Sequence, residues 1–177
     1  GTAREEEGGA ECQLCEKGKA NSDTERQTCK ICGVGTYAHR EGEVTCTKCP
    51  AGRYNDKPDD TADHHDGMND CLFCAPGKKS EGMGNYACAP CEFGKYQQEY
   101  GRESCRLCVK GRANTNTGAQ HNAFCVKCVA GKYSEIEGAS SCTDCPGGFW
   151  GDQDEQTSST VACKVCGGGQ YSSQPGS

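Results

Sequence analysis

The 177-residue sequence has few of the residues that build an ordinary core: three Leu, two Ile, four Phe, two Met and one Trp. Mean hydropathy is -0.82. A chain this polar cannot bury enough apolar surface to offset its conformational entropy unless something else ties it together. Long apolar runs are absent, so no membrane-spanning helix is expected in this segment. Apolar residues at helical spacing are absent too, so almost no helix is expected. A net charge of -6 lacks the basic footprint of nucleic-acid binding. The opening Gly1-Thr2-Ala3-Arg4 is not a signal peptide. The expectation is a processed chain or a segment of a longer one.

Cysteine is what the chain has instead. Eighteen Cys is about one residue in ten, the density of disulfide scaffolds. Disulfides persist outside the cell and on its surface, which makes an extracellular location the expectation. The cysteines form nine C-x-x-C pairs: Cys12/Cys15, Cys29/Cys32, Cys46/Cys49, Cys71/Cys74, Cys88/Cys91, Cys105/Cys108, Cys125/Cys128, Cys142/Cys145 and Cys163/Cys166. Five of the eight steps between first cysteines are 17 residues, and the others are 25, 20 and 21. This is a repeat with insertions.

The boundaries follow: an acidic leader at 1–11, then repeats at 12–28, 29–45, 46–70, 71–87, 88–104, 105–124, 125–141, 142–162 and a partial one at 163–177. The third repeat carries an inserted acidic loop and the eighth a second insertion. Both read as solvated loops.

A second signature is locked to the first. Gly stands three residues after every second cysteine: Gly18, Gly35, Gly52, Gly77, Gly94, Gly111, Gly131, Gly148 and Gly169. An aromatic usually follows two residues later: Tyr37, Tyr54, Tyr96, Tyr133, Trp150 and Tyr171. The Gly is expected to take a backbone conformation closed to other residues, or to admit a neighbouring strand. The ring is expected to cover the adjacent disulfide and act as the core of its unit.

The stretch from Cys128 through Gly131, Tyr133, Ser134 and Gly138 to Cys142, Cys145 and Pro146 resembles the ephrin-receptor-like cysteine-rich repeat, related to tumour-necrosis-factor-receptor and EGF-like modules. Cys46, Cys49, Pro50, Gly52 and Tyr54 follow the same pattern. The resemblance implies an extracellular array that spaces other domains, binds protein partners or builds surface filaments, similar to arrays in protist surface and flagellar-hair proteins. The fold class expected is an extended, loop-rich rod of small disulfide-rich repeats with minor β-strands. Each repeat would contact mainly its neighbours. At about four strand residues of rise per repeat, nine repeats would reach on the order of 100 Å.

Two disulfide schemes fit the spacing. In a ladder, the second cysteine of each pair bonds the first of the next, as in Cys15–Cys29, leaving Cys12 and Cys166 for neighbouring units. In an interleaved scheme, adjacent pairs bond first to third and second to fourth, as in Cys12–Cys29 with Cys15–Cys32. The resemblance favours the interleaved scheme.

Paired C-x-x-C motifs are also a four-thiolate zinc signature, but 13 intervening residues are short for it and the Gly-x-Tyr signature has no part in ligation. Redox catalysis needs a C-x-x-C at a helix N-terminus, which the pattern lacks. Asp63, His64, His65 and Asp66 are weak candidates for a cation such as calcium, outside any EF-hand spacing. Asn69-Asp70-Cys71 is a rare form of the N-glycosylation acceptor, and Thr157–Thr160 could carry O-linked sugar. Nothing assembles a catalytic constellation. The functional expectation is a non-enzymatic structural segment of a surface or filament protein. Its partners would be neighbouring repeats of a longer chain, further copies of itself or other extracellular proteins. A ligand-binding receptor ectodomain and a zinc-thiolate protein are the alternatives.

Overall fold

The computed structural model describes residues 2–3, 12–24 and 28–176. The acidic leader lies outside the described residues, apart from the strand Thr2–Ala3. Among the described residues, two-residue strands pair into nine two-stranded sheets. In every sheet the two residues inside a C-x-x-C pair form one strand. In eight of the nine the two residues after the preceding repeat Gly form the other, and in the first Thr2–Ala3 does. Thr36–Tyr37 thus pairs antiparallel with Thr47–Lys48, Thr36 opposite Lys48 and Tyr37 opposite Thr47. A tight turn leads into each such hairpin. The Arg53 amide donates to the Pro50 carbonyl at 3.1 Å, and Gly52 takes the third turn position with φ +77°. A type II turn demands a positive φ there.

The longer steps are absorbed in one way. Each of the three ends in a helical turn set directly before the next cysteine: Met68–Asp70 before Cys71, Asn122–Phe124 before Cys125, and the short α-helix Ser159–Ala162 before Cys163. No helix among the described residues is long and apolar enough to cross a membrane.

Eight disulfides join the repeats: Cys15–Cys29, Cys32–Cys46, Cys49–Cys71, Cys74–Cys88, Cys91–Cys105, Cys108–Cys125, Cys128–Cys142 and Cys145–Cys163. This is the ladder, so the interleaved pairing favoured by the resemblance is corrected. The reason is the strand. Residues three apart in an extended chain point to opposite faces. One cysteine of a pair therefore faces the preceding repeat and the other the following one, whereas interleaving needs both on the same side. Among the described residues Cys12 and Cys166 carry no disulfide, as the ladder scheme leaves them: it gives Cys12 no earlier second cysteine and Cys166 no later first one.

The chain forms two compact units. The first comprises Gly1–Ala75, Lys79–Ala89 and Tyr100–Glu103. It holds the 25-residue step and a buried cluster of Tyr37 with Cys49 and Cys71. The second comprises Pro76–Lys78, Pro90–Glu99 and Ser104–Ser177. It holds the Asn122–Phe124 turn and the Ser159–Ala162 helix.

Candidate functional site

The residues that recur in every repeat converge on the seam between one repeat and the next. Four backbone hydrogen bonds build it. In the first unit, the Cys74 amide donates to the Gly52 carbonyl at 3.0 Å and the Gly52 amide to the Ser80 carbonyl at 2.9 Å. The Ser80 amide donates to Arg102 at 3.3 Å, and the Gly101 amide to Cys74 at 2.8 Å. The second unit repeats the set: Cys108 to Gly94 at 2.8 Å, Gly94 to Asn114 at 2.8 Å, Asn114 to Ala139 at 3.1 Å and Gly138 to Cys108 at 2.7 Å.

Gly52 explains why the repeat glycine is glycine. Its φ is positive, and a Cβ built on it would lie far inside contact distance of the Gly101 carbonyl oxygen, two repeats along. Gly18, Gly35, Gly77, Gly94 and Gly111 face backbone carbonyls in the same way. Both reasons anticipated for the glycine therefore act together. The same contact adds to the neighbour-to-neighbour contacts: second neighbours also meet backbone to backbone, so consecutive repeats overlap. Gly131, Gly148 and Gly169 also have left-handed φ values, but around Gly148 and Gly169 the space is open.

The ring is the core of its unit in one repeat and not in the others. Tyr37 is buried beside the Cys49–Cys71 disulfide, as anticipated. Tyr54, Tyr96 and Tyr133 are only half-buried, whereas Trp150 is 39% and Tyr171 87% exposed. The buried position is the residue after the ring: Asn21, Ala38, Asn55, Ser80, Gln97, Asn114 and Ser134. Sequence reasoning missed it. The available signal was that this position is always small or an amide and never charged.

Its side chains finish the seam. Ser80 Oγ donates to the Arg53 carbonyl at 3.1 Å, and Asn114 Nδ2 to the Lys95 carbonyl at 2.9 Å. Asn114 Oδ1 accepts from the Asn116 amide at 3.0 Å. Replacing Asn114 with Ala leaves the part-buried Lys95 carbonyl without this donor, so a loss of about 1–3 kcal/mol is expected. Hydrogen exchange at the Gly94 and Asn114 amides reads it, and unchanged protection there would refute this role.

The third repeat varies this arrangement, and its insertion is not simply solvated. Asn55 Nδ2 donates to the His64 carbonyl at 2.9 Å. The vacated carbonyl, Thr36, lies 2.9 Å from His65 Nδ1, while His65 Nε2 lies 3.0 Å from the Pro58 carbonyl. His65 is fully buried and pins the insertion to the second repeat. His64 is exposed, with Nδ1 2.9 Å from Thr61 Oγ1, and Asp63 and Asp66 face solvent. The four residues weighed as cation ligands therefore do not converge. Among the described residues, no group of three or more His, Cys, Asp or Glu is placed to hold a metal. Apart from Cys12 and Cys166, the sulfurs a four-thiolate zinc site would draw on are paired in disulfides. Asn69 is exposed on its helical turn, two residues before the buried Cys71.

The insertion of the eighth repeat also folds back, contrary to its reading as a projecting loop. The Ala130 amide donates to Asp154 Oδ1 at 2.9 Å, and the Ser159 amide to Glu135 Oε1 at 2.8 Å. That Ser159 amide holds the Glu135 carboxyl below its ordinary range. Glu155 occupies the place taken by Gly101 and Gly138 in other repeats, and it has a φ of +61°. Its carboxylate meets Lys127 Nζ at 2.8 Å and Arg112 Nε, so one side chain ties the eighth repeat to the seventh and sixth.

The Lys127 hydrogen bond, then that of Arg112, lowers the Glu155 carboxyl below the usual glutamate range. A depressed carboxyl contributes stability that is complete above the ordinary value of about 4.3 and is lost as pH falls through the lower folded value. Protection of the Glu155 and Ser134 amides is expected to fall in that acidic window. In Glu155→Gln the same window should be flat. Equal acid sensitivity in both proteins would rule out the carboxylate as the cause.

Hairpins bonded across a recurring seam and stapled by a cysteine ladder define a class of small, disulfide-stapled, extracellular-type repeats. The model of the family described as tyrosine-protein kinase ephrin type A/B receptor-like matches residues 18–65 and 77–125, more than half of the chain, which belongs to that family. It is a receptor-like repeat family and not an enzyme family. No curated protein matches the chain. The family and the eight disulfides together favour an extracellular domain.

Proposed function

We propose that the chain is a structural segment of an extracellular surface or filament protein, where its repeats act as spacer and assembly scaffold. The observation that supports this reading is where the recurring residues go. The Gly, both cysteines and the buried Asn, Ser or Gln are all used in holding one repeat on the next. Conserving register along an array is what a spacer requires, and solenoids achieve it through such repeated interfaces. The contacts of the array are expected to be with neighbouring repeats, further copies and other extracellular proteins. The test is cross-linking mass spectrometry on native surface material. Links to structural neighbours on both flanks of the array are expected. A tight, stoichiometric complex with one soluble protein would replace the scaffold with a receptor ectodomain.

A further inference from the structure

We propose that the disulfide ladder is a second covalent path for tension, one that bypasses the main chain of every loop. The inference deepens the spacer reading and rests on it. In the ladder, a sulfur bridge ends on the first cysteine of a pair and the next bridge leaves from the second. Between Cys15 and Cys163 this path is unbroken. It passes only through bridges and the two residues inside each C-x-x-C pair. The loops hang from it as slack. An interleaved pairing would lack this property, because tension would return to the main chain between modules.

Each bridge spans 5.5–5.8 Å between Cα atoms. With about 3.3–3.6 Å per extended residue, the ladder path from Cys15 to Cys163 reaches about 115–120 Å, against about 500 Å for the main chain. Pulled from its ends, the oxidised segment between those cysteines thus stops at about a quarter of its main-chain length. Hydrogen bonds along the seam can open under load without letting the loops pay out.

The loop lengths give the ladder a fingerprint. Five bridges close a sequence separation of 14 residues. Cys108–Cys125 closes 17, Cys145–Cys163 closes 18 and Cys49–Cys71 closes 22. Cutting a bridge releases its loop, about 40–45 Å for each of the five, about 50–60 Å for the next two and about 70 Å for the last.

The experiment holds the whole chain between handles at its termini at constant force. Cys12→Ser and Cys166→Ser remove the thiols that would attack the bridges. Dithiothreitol is then added. Its thiolate attacks one sulfur and the other leaves as a cysteine thiolate. Its second thiol closes the reagent into a cyclic disulfide and frees the first cysteine, so two electrons pass per bridge. The expected record is a short extension before reductant, then eight separate steps, five alike and three longer. Full main-chain extension without reductant, or steps of other lengths, would overturn the proposal. As a check that does not depend on folding elsewhere, Cys74→Ala with Cys88→Ala should lengthen the unreduced chain by about 40–45 Å and remove one short step. An unchanged length would also overturn it. The spacer reading stands or falls separately on the cross-links in native material.

Discussion

Replacing Gly52 with Ala is expected to cost about 2–5 kcal/mol, combining the left-handed backbone penalty with overpacking. Gly52 has φ +77°, and its missing Cβ would collide with the Gly101 carbonyl, a backbone atom that cannot rotate away. Relief requires the two repeats to separate. That strains the bonds from Cys74 to Gly52 and from Gly101 to Cys74. The reduced freedom of the unfolded chain returns only about 0.4–1 kcal/mol.

Gly169→Ala is the matched comparison. It has the same φ of +77° but nothing within 4 Å of a Cβ, so only the backbone penalty of about 1–2 kcal/mol is expected. The array is read locally, by hydrogen exchange at the Cys74 and Ser80 amides for Gly52 and at Cys166 for Gly169. Equal losses at the two sites would show that close approach of second neighbours plays no part.

Full reduction is expected to abolish ordered structure. Among the described residues, the buried apolar ones are cysteines, small alanines and a single tyrosine, Tyr37. Little burial remains once the sulfurs are separated. Each loop of 14 to 22 residues contributes about 3 kcal/mol on the chain-entropy account. Eight such loops exceed the roughly 5–15 kcal/mol by which domains are normally stable. Amide protection should vanish along the whole chain when a phosphine reductant is added. Adding zinc to the reduced protein should not restore it, because in the native fold the two sulfurs of each pair face different neighbouring repeats, and a zinc held by both would draw them to one side and away from that fold. Recovery of protection with zinc would revive the thiolate reading.

The repeat, its boundaries and its glycine were legible in the sequence because they are matters of spacing. A C-x-x-C every 17 residues with Gly three positions later needs no third dimension to be seen. The extracellular setting was legible in cysteine density, and the family in the pattern from Cys46 to Tyr54, which lies inside the matched residues 18–65. The inserted segments were legible as extra length but misread as free loops. Their anchors, His65 on Thr36 and Glu135 on Ser159, are long-range pairs with no local mark.

Local chemistry thus determined what each repeat is: a glycine turn, a two-residue hairpin and two sulfurs facing opposite ways. Tertiary structure decided what each repeat is bonded to. That the two sulfurs of a pair face opposite ways is local, but that Cys15 meets Cys29 is decided only when the next repeat packs against its face. The burial of Asn114 in preference to Tyr96 depends on which side chain reaches a carbonyl left open by the previous repeat. Those are properties of the seam between repeats, and a seam exists only once two repeats are in place.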